Sequence, residues 1–198
     1  KGPFSVNRYG AGGTGDTNFG YFGGGSPGPV SSIDRIDYSN DTATASPKGP
    51  LSAARHYLSG TSARENGFVP LGPSVVPNSP VQTGNQNFGY FGGGSGGGST
   101  VDRVDYSNDT ATASTRGPLS LARWYLAATG NSFVGYFGGG NSPSGSIVDR
   151  IDYSNDTATA VEKGPLSVNR RQFAAAGNAD FGYFAGGYDT SGLSSVDR

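Results

Sequence analysis

The chain has 198 residues, of which 35 are glycine, 12 proline, 11 tyrosine and 11 phenylalanine, with no cysteine or methionine and a formal charge of -1. Glycine costs about 1 kcal/mol against alanine inside a helix, so long helices are excluded, and no run approaches the roughly 20 apolar residues of a membrane helix. The missing cysteines exclude disulfides and thiolate metal sites, and the balanced charge argues against a nucleic-acid partner, which calls for a basic patch.

In chain order, the first landmark is Lys1-Gly2-Pro3, followed six residues after the glycine by Arg8. Phe19-Gly20-Tyr21-Phe22 predicts a strand, and Gly23 to Pro29 a turn. Ile33 to Tyr38 predicts a second strand, Ser39-Asn40-Asp41 a turn, and Thr42-Ala43-Thr44-Ala45 a third strand. Lys48-Gly49-Pro50 stops pairing, because proline lacks the ladder donor. Arg55 then leads into His56-Tyr57-Leu58-Ser59, read as the opening strand of the next unit, with counterparts from Trp124 and from Gln172.

These landmarks recur. Gly-Tyr-Phe-Gly-Gly stands at 20, 89 and 135, and at 182 with Ala185 replacing one glycine. The Asp-Arg-x-Asp-Tyr-Ser-Asn-Asp-Thr block starts at Asp34, Asp102 and Asp149 and begins again at Asp197. From the Gly of Gly-Pro to the following arginine is 6 residues in all four copies, reaching Arg8, Arg55, Arg123 and Arg170. From arginine to tyrosine is 13 residues for Tyr21, Tyr136 and Tyr183, but 35 for Tyr90. The reading is one repeat domain over 1–198: a partial unit 1–7, units 8–54, 55–122 and 123–169, and a partial unit 170–198. The second full unit carries an insertion over 63–86. The period from Arg123 to Arg170 is 47 residues. Four short antiparallel strands in such a period predict an all-β fold of propeller blades, with an open β-repeat stack or fibre as the alternative. Because the units begin and end in mid-repeat, and methionine is missing from position 1, the expectation is a processed chain or a window onto a longer array.

The residues resemble the kelch repeat. The resemblance rests on Arg123, the small-residue run from Trp124 to Ala128, Tyr136-Phe137-Gly138-Gly139, Ile151-Asp152, and Leu166 ahead of Arg170. It implies a β-propeller. Kelch blades carry a tryptophan in the fourth strand, where this chain is expected to have Ala43, Ala111 and Ala158. The regular Tyr-Phe-Gly-Gly-Gly units also look like repeat proteins of bacteriophage particles and environmental bacteria, in which the array is an exposed appendage or adhesin-like part. That resemblance implies an extracellular or virion location.

Catalytic candidates are sparse. The single histidine, His56, occupies a position held by Trp124 and Gln172 in other copies. No nucleophile-base spacing or P-loop occurs, and the cysteine and histidine ligands of copper-radical oxidases on kelch-like propellers are missing. No cofactor is expected. Arg35 and Asp37 share a strand face and are expected to pair with each other or across blades. Asn40, Asn108 and Asn155 each head an Asn-Asp-Thr glycan-acceptor triplet within a turn. Five residues of the proline-rich insertion, Phe68, Val69, Leu71, Val75 and Val76, together with Tyr188, form the candidate partner-binding set, since loops on rigid scaffolds carry recognition. Arg8, Arg55, Arg123 and Arg170, with Tyr21, Tyr90, Tyr136 and Tyr183, are the structural repeat residues, and each guanidinium is expected to bond to carbonyls or acids of a neighbouring unit. The expected function is a non-enzymatic structural or binding module mediating protein assembly or host-surface attachment. A glycan-binding propeller and an enzyme with a rim-loop site are the alternatives.

Overall fold

The computed structural model describes residues 1–63, 87–96, 98–141 and 145–198. Among them the fold is all-β. The first sheet comprises β1 (Gly12–Gly15), β2 (Phe19–Gly23), β3 (Ile33–Asp37) and β4 (Ser46–Lys48). The second comprises β5 (Ser59–Ser62), β6 (Phe88–Gly92), β7 (Val101–Asp105) and β8 (Ser114–Arg116). The third comprises β9 (Ala127–Gly130), β10 (Val134–Gly138), β11 (Val148–Asp152) and β12 (Val161–Glu162). The fourth has three strands, β13 (Ala174–Gly177), β14 (Gly182–Ala185) and β15 (Val196–Asp197). Each sheet is a meander of antiparallel neighbours, and the four are the blades of a four-bladed propeller whose innermost strands β1, β5, β9 and β13 pack one against the next.

The Gly-Tyr-Phe-Gly strand explains the packing. Adjacent side chains of a strand point to opposite faces, so tyrosine and phenylalanine serve different seams. Phe91 packs back onto Gly23 of the preceding blade, Phe137 onto Gly92, and Phe184 onto Gly138. A Cβ on Gly92 would lie 2.6 Å from Phe137 Cε1, which is why the ring needs glycine there. The apolar core accordingly divides by seam. One cluster joins Tyr21 and Ile33 to Phe91 and Val104, a second joins Tyr90 and Val101 to Phe137 and Ile151, and a third joins Ala127 and Val148 to Phe184.

Two of the strands lie elsewhere than the sequence reading puts them. The opening strand starts at Ser59, Ala127 and Ala174, two or three residues late, because Tyr57, Tyr125 and Gln172 adopt φ of 57°, 62° and 54°. That left-handed kink is costly for residues with a Cβ. It aims Tyr57 N–H at the Gly10 carbonyl, Tyr125 N–H at Tyr57 and Gln172 N–H at Tyr125, a backbone ladder running through all four blades. The closing strand starts at Ser46 and Ser114, not at Thr42 and Thr110. Tyr38–Asn40, Tyr106–Asn108 and Tyr153–Asn155 instead form one-turn 3-10 helices, with Asp37, Asp105 and Asp152 as N-caps, and the Thr-Ala-Thr segment continues as a turn. Ala43, Ala111 and Ala158 therefore sit outside the fourth strand. Their carbonyls press on Gly2, Gly49 and Gly117, where any side chain would collide, and this accounts for the glycine of Lys-Gly-Pro and its counterparts.

Candidate functional site

The four repeat arginines sit in equivalent places. Arg55 and Arg123 are fully buried and Arg170 is 1% exposed. Arg55 meets Asp102 at 2.6 Å, Arg123 meets Asp149 at 2.7 Å, Arg170 meets Asp197 at 2.7 Å, and Arg8 meets Asp34 at 3.3 Å. The remaining guanidinium donors tie down the glycine turn: Arg55 donates to the Gly93 and Thr100 carbonyls at 2.9 and 2.7 Å. Arg8 treats Gly24 and Ser32 the same way, and Arg170 treats Gly186 and Ser195 so. Every one of these partners belongs to the arginine's own blade, not to a neighbouring unit. The antiparallel β2–β3 register carries the acid back beside the arginine, which spacing along the chain does not reveal. Burial pulls the Arg55 and Arg123 pKa values down, against the pull of Asp102 and Asp149.

The polar groups that cross between blades are different ones. In the first seam Tyr106 stacks on Tyr21 with centroids 4.9 Å apart and an angle of 18°. The Tyr106 hydroxyl lies 2.7 Å from Thr14 Oγ1. Tyr21 O–H donates to Asp109 at 3.0 Å, Arg35 donates to the same carboxylate at 2.7 Å, and Lys48 lies 3.4 Å from it. The second seam repeats this cluster: Tyr153 stacks on Tyr90 at 4.6 Å, and Asp156 takes Tyr90 at 2.9 Å and Arg103 at 2.8 Å, with Arg116 at 3.5 Å. Arg35 thus pairs across the seam and not with Asp37, which instead caps its own 3-10 turn through Ser39. Burial, reinforced by Asp109 and Asp156, raises the pKa of Tyr21 and Tyr90, and burial, reinforced by Tyr90 and Tyr106, raises that of Tyr153. These phenols stay protonated donors. The site is a knob, Tyr-Ser-Asn-Asp on a 3-10 turn, set into a socket of Thr, Tyr, Arg and a Lys or Arg on the preceding blade.

The repeat tyrosines grade with seam filling. Tyr21 and Tyr90 are fully buried, Tyr136 is half-buried and Tyr183 is 39% exposed. Asn40, Asn108 and Asn155 are exposed at the ends of their 3-10 turns, each with its triplet's threonine outside the strands. Asp41, the first blade's counterpart of Asp109, faces Lys1 at the surface. Tyr188 is 42% exposed, with the Arg171 guanidinium 5.3 Å over its ring. Phe68, Val69, Leu71, Val75 and Val76 lie outside the described residues, whereas Ala63, expected in the insertion, is buried scaffold that donates to the Phe88 carbonyl. His56 sits edge-on to Tyr57, and among the described residues no group of three or more acids and histidines could hold a metal. The knob residues Tyr106, Asp109, Tyr153 and Asp156 escaped the sequence reading as interface groups. Their signal is the unvarying Tyr-Ser-Asn-Asp of the turn, which capping alone does not require. Compared with known families and curated proteins, the chain matches no family model and no curated protein.

Proposed function

We propose that the chain is a kelch-like, non-enzymatic structural and binding repeat module of a virion or extracellular appendage, working by assembly with protein. One observation carries this reading: the buried carboxylates are spent on anchoring a blade's own turn or on crossing to the next blade. Asp109 and Asp156 each receive a tyrosine and two cations, and Asp34, Asp102, Asp149 and Asp197 are each matched to an arginine. A general base needs an acceptor open to substrate, and these carboxylates are already engaged. Repetition of the same cluster gives each blade the same duty, which suits packing and multivalent attachment.

Protein assembly ranks above glycan binding in this reading, because the face of Tyr188 is already met by Arg171 and the loops offer few other rings. The segment holding Phe68, Val69, Leu71, Val75 and Val76 is the proposed contact region. Two assays test the proposal. Purified protein given panels of chromogenic glycosides and esters should match buffer rates, and turnover that co-elutes with the protein contradicts it. Deleting residues 64–86 should preserve the circular dichroism spectrum and weaken association with the neighbouring structural protein; unchanged association contradicts the proposed contact region.

A further inference from the structure

Where the second and third blades begin, two phenol rings stand against each other across the seam. Tyr57, ahead of β5, and Tyr125, ahead of β9, have ring centroids 4.2 Å apart at an angle of 36°. Both are half-buried, so solvent reaches them. The backbone that holds the pair is strained: φ values of 57° and 62° are left-handed, and Tyr125 N–H donates to the Tyr57 carbonyl at 2.9 Å. The kink itself does not call for a phenol, because Gln172 takes it with φ of 54°. The rings also meet at their hydroxyl ends, since hydrogen bonding with Tyr125 is the first cause raising the Tyr57 pKa. That brings the ring carbons beside the two hydroxyls together. Other tyrosine contacts are arranged differently. Tyr9 lies 6.2 Å from Tyr57. Tyr106 on Tyr21 and Tyr153 on Tyr90 are near-parallel stacks, in which Tyr21 and Tyr90 are fully buried with their hydroxyls held by Asp109 and Asp156. The sequence has no cysteine or methionine to take up oxidising equivalents first.

We propose that Tyr57 and Tyr125 are an oxidative coupling site, joined by a peroxide-driven one-electron oxidant into a dityrosine cross-link between the second and third blades. Each phenol gives up one electron and one proton, and the two radicals couple through the ring carbons ortho to the hydroxyls. Each coupled carbon then loses its hydrogen as a proton while its oxygen regains one, which restores both phenols. Hydrogen peroxide takes up the two electrons and two protons and leaves as two waters, so the protein ends two hydrogens lighter. Rings held in contact couple within the chain before they meet another chain, because positioning makes the encounter effectively unimolecular. The new bond closes the chain between residues 57 and 125 into a loop, in a sequence with no cysteine for a disulfide. It adds a covalent tie, where the inner strands begin, to a seam that Tyr90, Tyr153 and Asp156 already hold. The inference goes beyond the module reading and does not depend on it, since the change lies within one chain.

The test treats the dilute purified chain with hydrogen peroxide and a haem peroxidase and, separately, with a small photoactivated ruthenium oxidant and persulfate. Trypsin then releases residues 56–64, which contain Tyr57, and residues 124–150, which contain Tyr125 and Tyr136. The expected product is a monomer with dityrosine fluorescence, in which these two peptides run as one species two hydrogens lighter than the separate pair. Fragment ions should place the bond on Tyr57 and Tyr125. Tyr57→Phe and Tyr125→Phe should each remove that species while the circular dichroism spectrum stays that of wild type. If a phenylalanine variant misfolds, Tyr125→Gln serves instead with the same expectation, since Gln172 shows that the kink accepts glutamine. Unfolding the chain in urea before the ruthenium oxidation should lower the yield about fivefold or more, because only the fold holds the rings together. Absence of the linked species under both oxidants, a bond placed on Tyr136 or on another pair, or equal yield from the unfolded chain overturns the site.

Discussion

Replacing Asp102 by asparagine isolates what the repeat arginine and its acid contribute. Arg55 is fully buried, and its 2.6 Å contact with Asp102 is, among the described residues, the one charge-neutralising interaction of that guanidinium. The variant keeps the shape of the side chain and the Gly93 and Thr100 carbonyl bonds, but leaves a cation without a counter-charge where no water reaches it. Asp102 also accepts the Ser52 N–H at 3.1 Å, which the amide oxygen retains. Removing one partner of a buried pair costs about 3–5 kcal/mol, a large share of the roughly 5–15 kcal/mol by which domains are stable. For a chain of this size each kcal/mol moves the melting midpoint by about 2–4 °C, so the expected drop is about 6–20 °C. Urea and thermal unfolding followed by circular dichroism measure it. The control is Asp41→Asn, whose partner Lys1 has a side chain 78% exposed; exposed pairs contribute about 0–1 kcal/mol. The double variant Arg55→Met with Asp102→Leu should recover only part of the loss, since it removes the unpaired charge but leaves the Gly93 and Thr100 carbonyls and the Ser52 N–H without their partners. A loss below about 1 kcal/mol for Asp102→Asn would refute the assignment of the pair as the blade's anchor.

Other outcomes follow from the same geometry. Gly92→Ala should destabilise by about 1–3 kcal/mol through overpacking on Phe137, and Gly23→Ala by less, because the new Cβ would stand 3.2 Å from Phe91 against 2.6 Å from Phe137; the reverse order in a denaturant series contradicts the ring-on-glycine packing. Asp37 and Asp152 have pKa values lowered chiefly by the hydroxyls of Ser39 and Ser154, so the fold favours their carboxylates. Their stabilising contribution is present above the unfolded value of about 3.9 and disappears as pH falls through the lower folded value, and a carboxyl NMR titration of Asp37 with a midpoint at or above about 3.9 would be inconsistent with the cap. Tyr21, Tyr90 and Tyr153 have raised pKa values, so the stability they give is complete below about pH 10 and declines as pH rises through their folded values. Ultraviolet titration should show these three ionising only as the fold is lost, and early ionisation with the fold intact would sink that reading.

Part of this was legible in the chain. The 13-residue interval between arginine and tyrosine, kept in three of the four copies, located the central strand, and the glycine run located the turn that follows, because glycine frees the backbone where aromatics end. Strand boundaries were less legible. Nothing local says that Tyr57, Tyr125 and Gln172 take a left-handed kink; the inter-blade backbone ladder imposes it. Thr42 to Ala45 alternates like a strand, yet Asp37 caps a 3-10 turn ahead of it and delays pairing until Ser46. Pairing across seams was hidden for another reason. A periodic sequence supplies one Tyr, one Arg and one turn Asp per unit, but not which unit's acid each cation meets. Arg55, in the segment ahead of β5, stays within its blade, whereas Arg35, on β3, crosses to the next.

The most direct test is a pair of double-mutant cycles across successive seams, Tyr21→Phe with Asp109→Ala and Tyr90→Phe with Asp156→Ala. Both hydroxyl–carboxylate bonds are buried, at 3.0 and 2.9 Å, and hydrogen bonds to charged groups contribute about 1.5–3 kcal/mol. Equivalent seams should give coupling energies that agree within about 0.5 kcal/mol and that each exceed about 1 kcal/mol. Coupling near zero in either seam, or a clear inequality between the two, would contradict the claim that one repeated knob and socket holds the blades together.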